Sequence, residues 1–393
     1  MTIELQAFAA FAVAALTAFL LTPFVARLAR RIGAVAQVEE RSLHSLVTPT
    51  MGGLAILGGV LVAALIWLPG DTQTQAIIAG AVLITLIGAA DDKWDLSPPV
   101  KLAGQIVAAA IPVLSGVTVD HVTLPFIDPL DLGDSGSVLT LIGIVAVMNV
   151  VNFTDGVDGL AAGVCVIAAG TFAAIALSLD RADAGILAAC TAGAALGFLF
   201  HNFYPASIFM GDAGSNLLGY LLACIAIQGV LKTAAVVALI FPLVILAVPI
   251  LDTGFVVAKR LKYGAPVYRA DRWHFHHRFV NIGFSQRRTV FYLYGWTLSL
   301  AMLALALRFL PYSDHHGNYD TFWTIMLVAI GLGAVAASFY LVIVLEILKL
   351  RRFSSGRLKS EGGTDGERQP SQREVDADVA ERLATGEFPA IRR

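Results

Sequence analysis

The chain has 393 residues, of which 57% are hydrophobic and only 14% are charged, and its mean hydropathy is +0.75. This composition excludes an ordinary soluble domain and indicates a protein that crosses a membrane several times. The formal net charge of −2 says little by itself, because charge in such a protein is partitioned between the two sides of the membrane.

About eleven apolar stretches predict an all-α polytopic membrane protein. A helix needs about 20 apolar residues to cross the hydrocarbon core, where lipid offers the backbone no hydrogen-bond partners. In chain order the predicted spans cover roughly 5–26, 51–69, 75–92, 100–117, 137–153, 158–178, 184–200, 214–230, 233–255, 289–309 and 322–348.

The distribution of lysine and arginine predicts the orientation, because inner loops carry an excess of both. With the N-terminus outside and the C-terminus inside, every Lys and Arg lies on the inner side except Arg181, Lys232 and Arg308. The longest outer loop, Val117 to Ser137, partly alternates apolar with polar residues. We expect it to form a short β-hairpin.

The C-terminal part of the chain differs in composition from the rest. Residues 1–350 form the membrane domain, whereas 351–393 are rich in Gly, Ser, Glu, Arg and Asp and predict a disordered cytoplasmic tail. Cys165, Cys190 and Cys224 lie within apolar spans without CxxC spacing or a histidine neighbour, so we interpret them as small packing residues.

The first polar motif, DDKWD, closes the third span at its inner end. The adjacent carboxylates of Asp91 and Asp92 repel each other and are costly to bury. They need a cation, a proton or full hydration. A solvated helix end is the alternative. Lys101 follows at the start of the next span.

The second motif, NVVNFTDGVDGL, places Asn149, Asn152, Asp155 and Asp158 three residues apart. On a helix these side chains share roughly one face. Amides and carboxylates together suit a hydroxyl-rich or base-bearing ligand, and the carboxylates also suit a metal. In the alternative interpretation, Asp155 or Asp158 caps the sixth span.

The third motif, FMGDAGS, precedes the eighth span and contains Asp212. A carboxylate here suits a hard cation such as Mg²⁺, which would bridge phosphate oxygens. The alternative is a tight turn in which Ser215 and Asn216 cap the helix. Asn202 lies earlier in the same inner loop, and Phe209 opens the motif.

The fourth motif, DRWHFHHR, lies in the long basic loop between spans nine and ten and contains His274, His276, His277 and Arg278. A zinc site would need a cysteine or a distant fourth ligand. Arginine and protonated histidine better suit a pyrophosphate. In the alternative interpretation, the basic loop is only attracted to anionic lipid headgroups and binds no substrate.

Together, acidic motifs that suit Mg²⁺ face a basic loop that suits phosphates, which indicates phosphoryl transfer at the inner surface. No GxxxxGK[ST] loop is present, which argues against a nucleotide-hydrolysing motor. A secondary transporter is the main rival. Transporters bind near mid-membrane on broken helices, whereas these carboxylates lie at span ends.

At these four motifs, and over about residues 1–350, the chain resembles the polyprenyl-phosphate N-acetylhexosamine-1-phosphate transferases. The loop RSLHSLVTPTMGG, Arg41 to Gly53, also resembles the first cytoplasmic loop of that family. The phospho-MurNAc-pentapeptide translocase has HHH followed by an acidic residue, whereas HFHHR is similar to the GlcNAc-type branch.

The resemblance implies transfer of GlcNAc-1-phosphate from UDP-GlcNAc to undecaprenyl or decaprenyl phosphate, with release of UMP. This would be the first membrane step of cell-envelope polysaccharide assembly. UDP-MurNAc-pentapeptide is the alternative donor. The resemblance further implies a bacterial plasma membrane enzyme with its site facing the cytoplasm, compatible with a homodimer and without a nucleic-acid partner. It leaves open whether the lipid phosphate attacks directly or the reaction passes through an aspartyl intermediate.

The resemblance also implies roles for individual residues. Asp212 and Asp91 would ligate Mg²⁺, with Mn²⁺ as an alternative, and Asp91 and Asp92 would serve the lipid phosphate, one as base. Asp155 and Asp158 complete the predicted catalytic set. The predicted substrate-binding residues are Lys101, Asn149, Asn152, Asn202, Phe209, His274, His276, His277, Arg278, Arg41 and His44.

Overall fold

The computed structural model describes residues 1–36, 48–122, 130–231, 240–251, 253–254, 285–312 and 320–340. Within these residues the protein is predominantly helical. In chain order the helices are α1 (Ile3–Ile32), α2 (Gly53–Trp67), α3 (Thr72–Trp94), α4 (Pro98–Leu114), α5 (Asp134–Thr154), α6 (Leu160–Ser178), α7 (Ala182–Asn202), α8 (Gly211–Ala226), α9 (Ile240–Ile245), α10 (Gln286–Phe309) and α11 (Thr321–Tyr340).

Seven helices among the described residues are long and apolar enough to cross a membrane, namely α1, α3, α5, α6, α7, α10 and α11. Helices α2 and α4 are also apolar but have only 15 and 17 residues. The prediction of an all-α, multi-pass membrane protein is therefore confirmed. The count of eleven spans and the orientation of the termini stay predictions, and the ninth and eleventh spans lie partly outside the described residues.

Two short strands lie in the segment where the sequence predicts a hairpin. Strands β1 (His121–Val122) and β2 (Leu130–Asp131) pair in antiparallel register, with His121 opposite Asp131. The segment 123–129 between them lies outside the described residues. The Thr140 hydroxyl accepts a hydrogen bond from the Val119 backbone N–H at 2.9 Å. This bond ties the approach to β1 to the first turns of α5.

Helices α1 and α7 pack backbone to backbone through small residues. Gly193 and Gly197 of α7 lie so close to the carbonyl oxygens of Phe11 and Ala15 that an added methyl group would overlap them. Helix α1 contributes a buried row of alanines to this bundle. Lipid tails are as apolar as leucine side chains, so close van der Waals contact is what holds such helices together.

Helix α8 lies at the centre of the bundle, and its residues from Ala213 onward are buried. It packs mainly against α3 and α5. Gly88 of α3 leaves room for the backbone of Asp212 and Ala213, and Gly219 of α8 leaves room for the backbone of Met148 in α5. The start of α8 is thereby held against the end of α3.

The antiparallel packing brings several helix ends to one end of the bundle, which we call the site end. Helices α3 and α5 finish there at Trp94 and Thr154, whereas α2, α4 and α8 begin there at Gly53, Pro98 and Gly211. The first three polar motifs of the sequence lie at these helix ends. The fold therefore gathers them in one place.

Candidate active site

Lys101 links two carboxylates from different helices. Its Nζ lies 2.6 Å from Oδ2 of Asp91 and 3.5 Å from Oδ2 of Asp212. The two carboxyl groups also interact with each other. Lys101 stands in the first turn of α4, where Pro98 and Pro99 preset the backbone for a helix. The Lys101 ammonium therefore supplies positive charge that compensates the two carboxylates.

Asp92 holds the start of α8 rather than facing Lys101. Its carboxylate accepts hydrogen bonds from the backbone N–H groups of Asp212, at 2.8 Å, and Ala213, at 3.4 Å. A helix N-terminus favours an anion because its first N–H groups lack partners within the helix. Gly211 makes this approach possible, since its φ is +69° and a side chain there would collide with the Asp92 carboxylate.

Asn152, near the end of α5, orients the Asp212 carboxylate. Its Nδ2 donates to Asp212 Oδ1 at 3.0 Å and to Ser215 Oγ at 2.9 Å. Ser215 Oγ in turn donates to the carbonyl oxygen of Gly211 at 3.0 Å. The Asp212 side chain is therefore held from α4 and α5 at once, by Lys101 and Asn152.

Asp155 follows directly after α5 and faces the same cluster. Burial, together with the negative charges of Asp212, Asp92 and Asp158, raises the pKa of its carboxyl group to about 8. Asp155 thus lies within electrostatic reach of three other acidic side chains, whereas Lys101 contacts only Asp91 and Asp212. The arrangement therefore favours a bound cation.

Asp158 and Asn202 connect two loops at the site end. Asp158 is 4% exposed, and its Oδ2 accepts from the Ala206 backbone N–H at 2.9 Å. Asn202 is 3% exposed; its Oδ1 accepts from Gly159 N–H and its Nδ2 donates to the Ile208 carbonyl, both at 3.0 Å. Both side chains are thus engaged in shaping the loops. The catalytic role of Asp158 and the substrate contact of Asn202 stay predictions.

Residues from the first inner loop anchor the FMGDAGS motif. The Phe209 N–H donates to the Pro49 carbonyl at 2.8 Å, and Gly52 N–H donates to the Phe209 carbonyl at 3.0 Å. Gly53 packs directly on the backbone of Ala213 and Gly214. The main chain of Phe209 is therefore part of the scaffold that fixes Asp212.

One turn below the cluster, three amides form a hydrogen-bonded chain across α4, α5 and α8, in which Gln105 and Asn216 are buried and Asn149 is half-buried. Asn149 donates to Gln105 Oε1 at 2.8 Å and to the Val145 carbonyl at 2.8 Å, and its contact with substrate stays a prediction. Gln105 Nε2 donates to Asn216 Oδ1 at 2.8 Å. Sequence reasoning missed Gln105. A polar residue inside an apolar span, one helical turn after Lys101, is a signal that could have found it.

The capping alternatives from the sequence are wrong. Met210 and Gly159 occupy the N-cap positions of α8 and α6, and neither residue caps its helix with its own side chain. Ser215 and Asn216 lie inside α8 and bond to carbonyls one turn earlier, those of Gly211 and Asp212. The three cysteines are buried, as expected of packing residues.

Six predicted substrate-binding residues lie outside the described residues. Arg41 and His44 fall in 37–47, and the histidine motif falls in 255–284. The latter comprises His274, His276, His277 and Arg278. Their roles stay predictions.

The donor set suits Mg²⁺ better than a transition metal. The described residues contain no group of three His, Cys, Asp or Glu side chains that together could hold a metal ion. Mg²⁺, however, is usually bound by one or two carboxylates plus substrate phosphates and retained waters. Asp91 and Asp212, which already share one cation, match that requirement.

Comparison with known proteins identifies close relatives. The sequence model of glycosyl transferase family 4 matches residues 74–230. A probable undecaprenyl-phosphate N-acetylglucosaminyl 1-phosphate transferase of Bacillus subtilis is 39% identical over 300 residues, covering 75% of this chain and 84% of the relative. A decaprenyl-phosphate N-acetylglucosaminephosphotransferase of Mycobacterium leprae is 38% identical over 315 residues, covering 72% and 79%.

A more distant relative represents another branch. The phospho-N-acetylmuramoyl-pentapeptide-transferase of Desulforudis audaxviator is 34% identical over 335 residues, covering 75% of this chain and 96% of the relative. The matched family region, 74–230, contains the carboxylates of α3 and α8, Asp155 after α5, and the lysine of α4 described above.

Proposed function

This chain belongs to the polyprenyl-phosphate N-acetylglucosaminyl 1-phosphate transferases of glycosyl transferase family 4, and from that premise we propose that its donor is UDP-GlcNAc and its cofactor Mg²⁺. The reaction transfers GlcNAc-1-phosphate to a polyprenyl phosphate. The observation that carries the proposal is the shared contact of Lys101 with Asp91 and Asp212, which unites two remote motifs in one charged site.

The chemistry balances without any further reactant. An oxygen of the lipid phosphate forms a bond to the β-phosphorus of UDP-GlcNAc. The bond between that phosphorus and the oxygen bridging to the α-phosphate breaks, and its electron pair leaves with UMP. Such a transfer needs positioning and charge neutralisation more than covalent help from the protein.

Asp91 and Asp212 are the residues that would hold Mg²⁺. When bound, the ion neutralises phosphate oxygens and orients them. Lys101, a point charge on a flexible stem, would hold a phosphate beside these carboxylates. Asp155 faces the same space from the end of α5, and its proximity to Asp212 supports a role in contacting metal or nucleotide.

Asp92, Asn152, Asp158 and Asn202 act in this proposal through the residues that they hold. Asp92 and Asn152 fix the main chain and side chain of Asp212. Asp158 and Asn202 fix the loops on either side of the site. For Asp92 and Asp158, this replaces the catalytic role that the sequence suggests.

We propose that the site end faces the cytoplasm, so the N-terminus is outside. Described basic residues at this end include Arg30 and Arg31 at the end of α1, Lys93 at the end of α3, and Arg287 and Arg288 at the start of α10. The opposite end has Arg181 and Arg308. This asymmetry supports a cytoplasmic site by the positive-inside rule.

A donor comparison tests the proposed substrate. With purified protein, undecaprenyl phosphate and Mg²⁺, we expect UMP release from UDP-GlcNAc to exceed that from UDP-GalNAc or UDP-MurNAc-pentapeptide at least about tenfold, a difference of about 1.4 kcal/mol in transition-state binding. The 34% identity to a pentapeptide transferase makes the last donor the second candidate. Faster turnover of UDP-MurNAc-pentapeptide would overturn the assignment and place the chain's activity in that branch.

A further inference from the structure

Three amides, two of them buried and that of Asn149 half-buried, connect the helices that carry the proposed catalytic groups. Asn149 Nδ2 donates to Gln105 Oε1, and Gln105 Nε2 donates to Asn216 Oδ1, both at 2.8 Å. Asn216 Nδ2 donates to the Asp212 carbonyl at 2.9 Å. Gln105 and Asn216 are 6% and 5% exposed, so neither amide is solvated. The chain of bonds runs from α5 through α4 to α8.

Each amide lies one helical turn deeper than a group at the carboxylate cluster. Gln105 follows Lys101 by four residues in α4, and Asn216 follows Asp212 by four in α8, so each pair shares a helix face. Asn149 precedes Asn152 by three residues in α5, a helix that reaches the site at its end. A lower tier of three amides thus lies under an upper tier of Lys101, Asp212 and Asn152.

The direction of every bond in the lower tier is fixed. Asn149 and Asn216 each donate to a main-chain carbonyl, of Val145 and Asp212 respectively, and a carbonyl can only accept. Their NH₂ groups must therefore point to those carbonyls. Asn149 then offers Gln105 a donor and Asn216 offers it an acceptor. Of the uncharged side chains long enough to reach both, only glutamine presents the matching pair.

The packing of membrane helices in general does not require such a set of hydrogen-bonded amides. An amide in a membrane span is costly unless it is paired, and apolar side chains of similar volume pack helices without that cost. The lower tier also adjoins the site, because Gln105 and Asn216 line a cavity of about 10 Å³ together with Asp91, Lys101 and Asp212. A directional network at this depth fixes how α4, α5 and α8 are placed along one another, one turn below Lys101, Asn152 and Asp212.

We propose that Gln105 is a positioning residue, whose amide fixes α4 and α5 against α8 and thereby sets Lys101, Asn152 and Asp212 in their relative places. The inference rests on the proposed function, which assigns Lys101, Asn152 and Asp212 to the catalytic site. Gln105 touches no substrate in this proposal. Its effect is transmitted through Asn149 and Asn216.

The test compares Gln105→Met with Tyr220→Phe in purified protein, using UDP-GlcNAc and undecaprenyl phosphate. Methionine keeps the length of the side chain but removes both hydrogen bonds. Tyr220 lies one turn below Asn216 and donates to the Ile77 carbonyl at 3.1 Å, so Tyr220→Phe removes a buried interhelical hydrogen bond outside the tiers. The measurements are kcat, KM for UDP-GlcNAc, the Mg²⁺ concentration for half-maximal rate, and the thermal unfolding midpoint.

For Gln105→Met we expect kcat to fall about 10- to 100-fold, the range seen when residues that support metal ligands are lost. The Mg²⁺ requirement should rise, while KM for UDP-GlcNAc changes little. Tyr220→Phe should retain kcat within about twofold of wild type, although it lowers the unfolding midpoint as much as Gln105→Met. The double variant Gln105→Met/Asn216→Leu should lose little more than the more impaired single variant, because both break one chain of bonds.

Wild-type turnover separates the two proposals. If wild type releases no UMP from UDP-GlcNAc, the proposed function fails. If wild type is active and Gln105→Met retains its kcat and Mg²⁺ requirement, the positioning role is overturned. Equal loss of kcat in Tyr220→Phe would likewise overturn it, because the effect would then follow helix packing in general.

Discussion

Replacing Asp212 with Asn is expected to lower kcat for UMP release at least about 10³-fold, which corresponds to about 4 kcal/mol of transition-state stabilisation. The substitution keeps the size of the side chain but removes the charge that Lys101 contacts and that a hard cation requires. The main-chain bonds to Asp92 remain available, so the start of α8 should stay in place.

The matched control is Asp183→Asn. Asp183 is an exposed carboxylate in the first turn of α7, at the end of the bundle opposite to the site. It should leave kcat within about twofold of wild type, since charges at that distance are screened. The unfolding midpoint in detergent serves as a check that Asp212→Asn is folded. Near-normal turnover by a folded Asp212→Asn protein would refute the metal role.

Replacing Lys101 with Met is expected to lower kcat about 10²- to 10³-fold, as does loss of one group that stabilises transition-state charge in other enzymes. The same change removes the ammonium that competes with a cation for Asp91 and Asp212. The Mg²⁺ concentration for half-maximal rate should therefore fall or stay the same, in contrast to Gln105→Met, for which it should rise.

Lys93→Met provides the comparison for Lys101. Lys93 is exposed, lies two residues after Asp91, and places its ammonium 5.1 Å from the centre of the Trp94 ring. It should keep kcat near wild type. If Lys101→Met and Lys93→Met lose activity equally, general positive charge at the site end would explain the effect, and the specific contact of Lys101 would not.

The gathering of remote motifs could be predicted from the sequence alone. Spans that cross alternately bring every second loop to the same side, so the motifs around Asp91, Asp155 and Asp212 had to share a face. The sequence also predicts the helices themselves, because apolar stretches of this length have few alternatives in lipid. The exact depth at which each helix begins depends on side-chain hydrogen bonds, such as those of Asp92. The hydrophobic pattern of the sequence contains no information about these bonds.

The different contacts of Asp91 and Asp92 could not be predicted from the sequence. Neighbours on a helix point about 100° apart, so one faces Lys101 while the other meets the first N–H groups of α8. Which one does which depends on the rotation of α3 against α8. That rotation is set by close contacts at Gly80 and Gly88, which sequence reasoning did not use.

The same limit applies to Asn149 and Asn202. Their residue types suggest substrate contact, which stays a prediction, and the structure adds partners inside the protein, Asn149 at Gln105 and Asn202 at Gly159 and Ile208. A buried amide in or beside a membrane span must satisfy its hydrogen bonds somewhere. Only the three-dimensional arrangement decides whether the partner is a ligand or another part of the chain.

The fate of the β-phosphorus tests the central claim most directly. Purified protein is incubated with undecaprenyl phosphate and UDP-GlcNAc labelled at the β-phosphorus, with Mg²⁺ or with EDTA. The account predicts that label appears in the lipid product with an equal amount of unlabelled UMP, and that both disappear with EDTA and in Asp212→Asn. Label that remains in UDP while GlcNAc alone reaches the lipid, or label transfer that persists in EDTA, would contradict it.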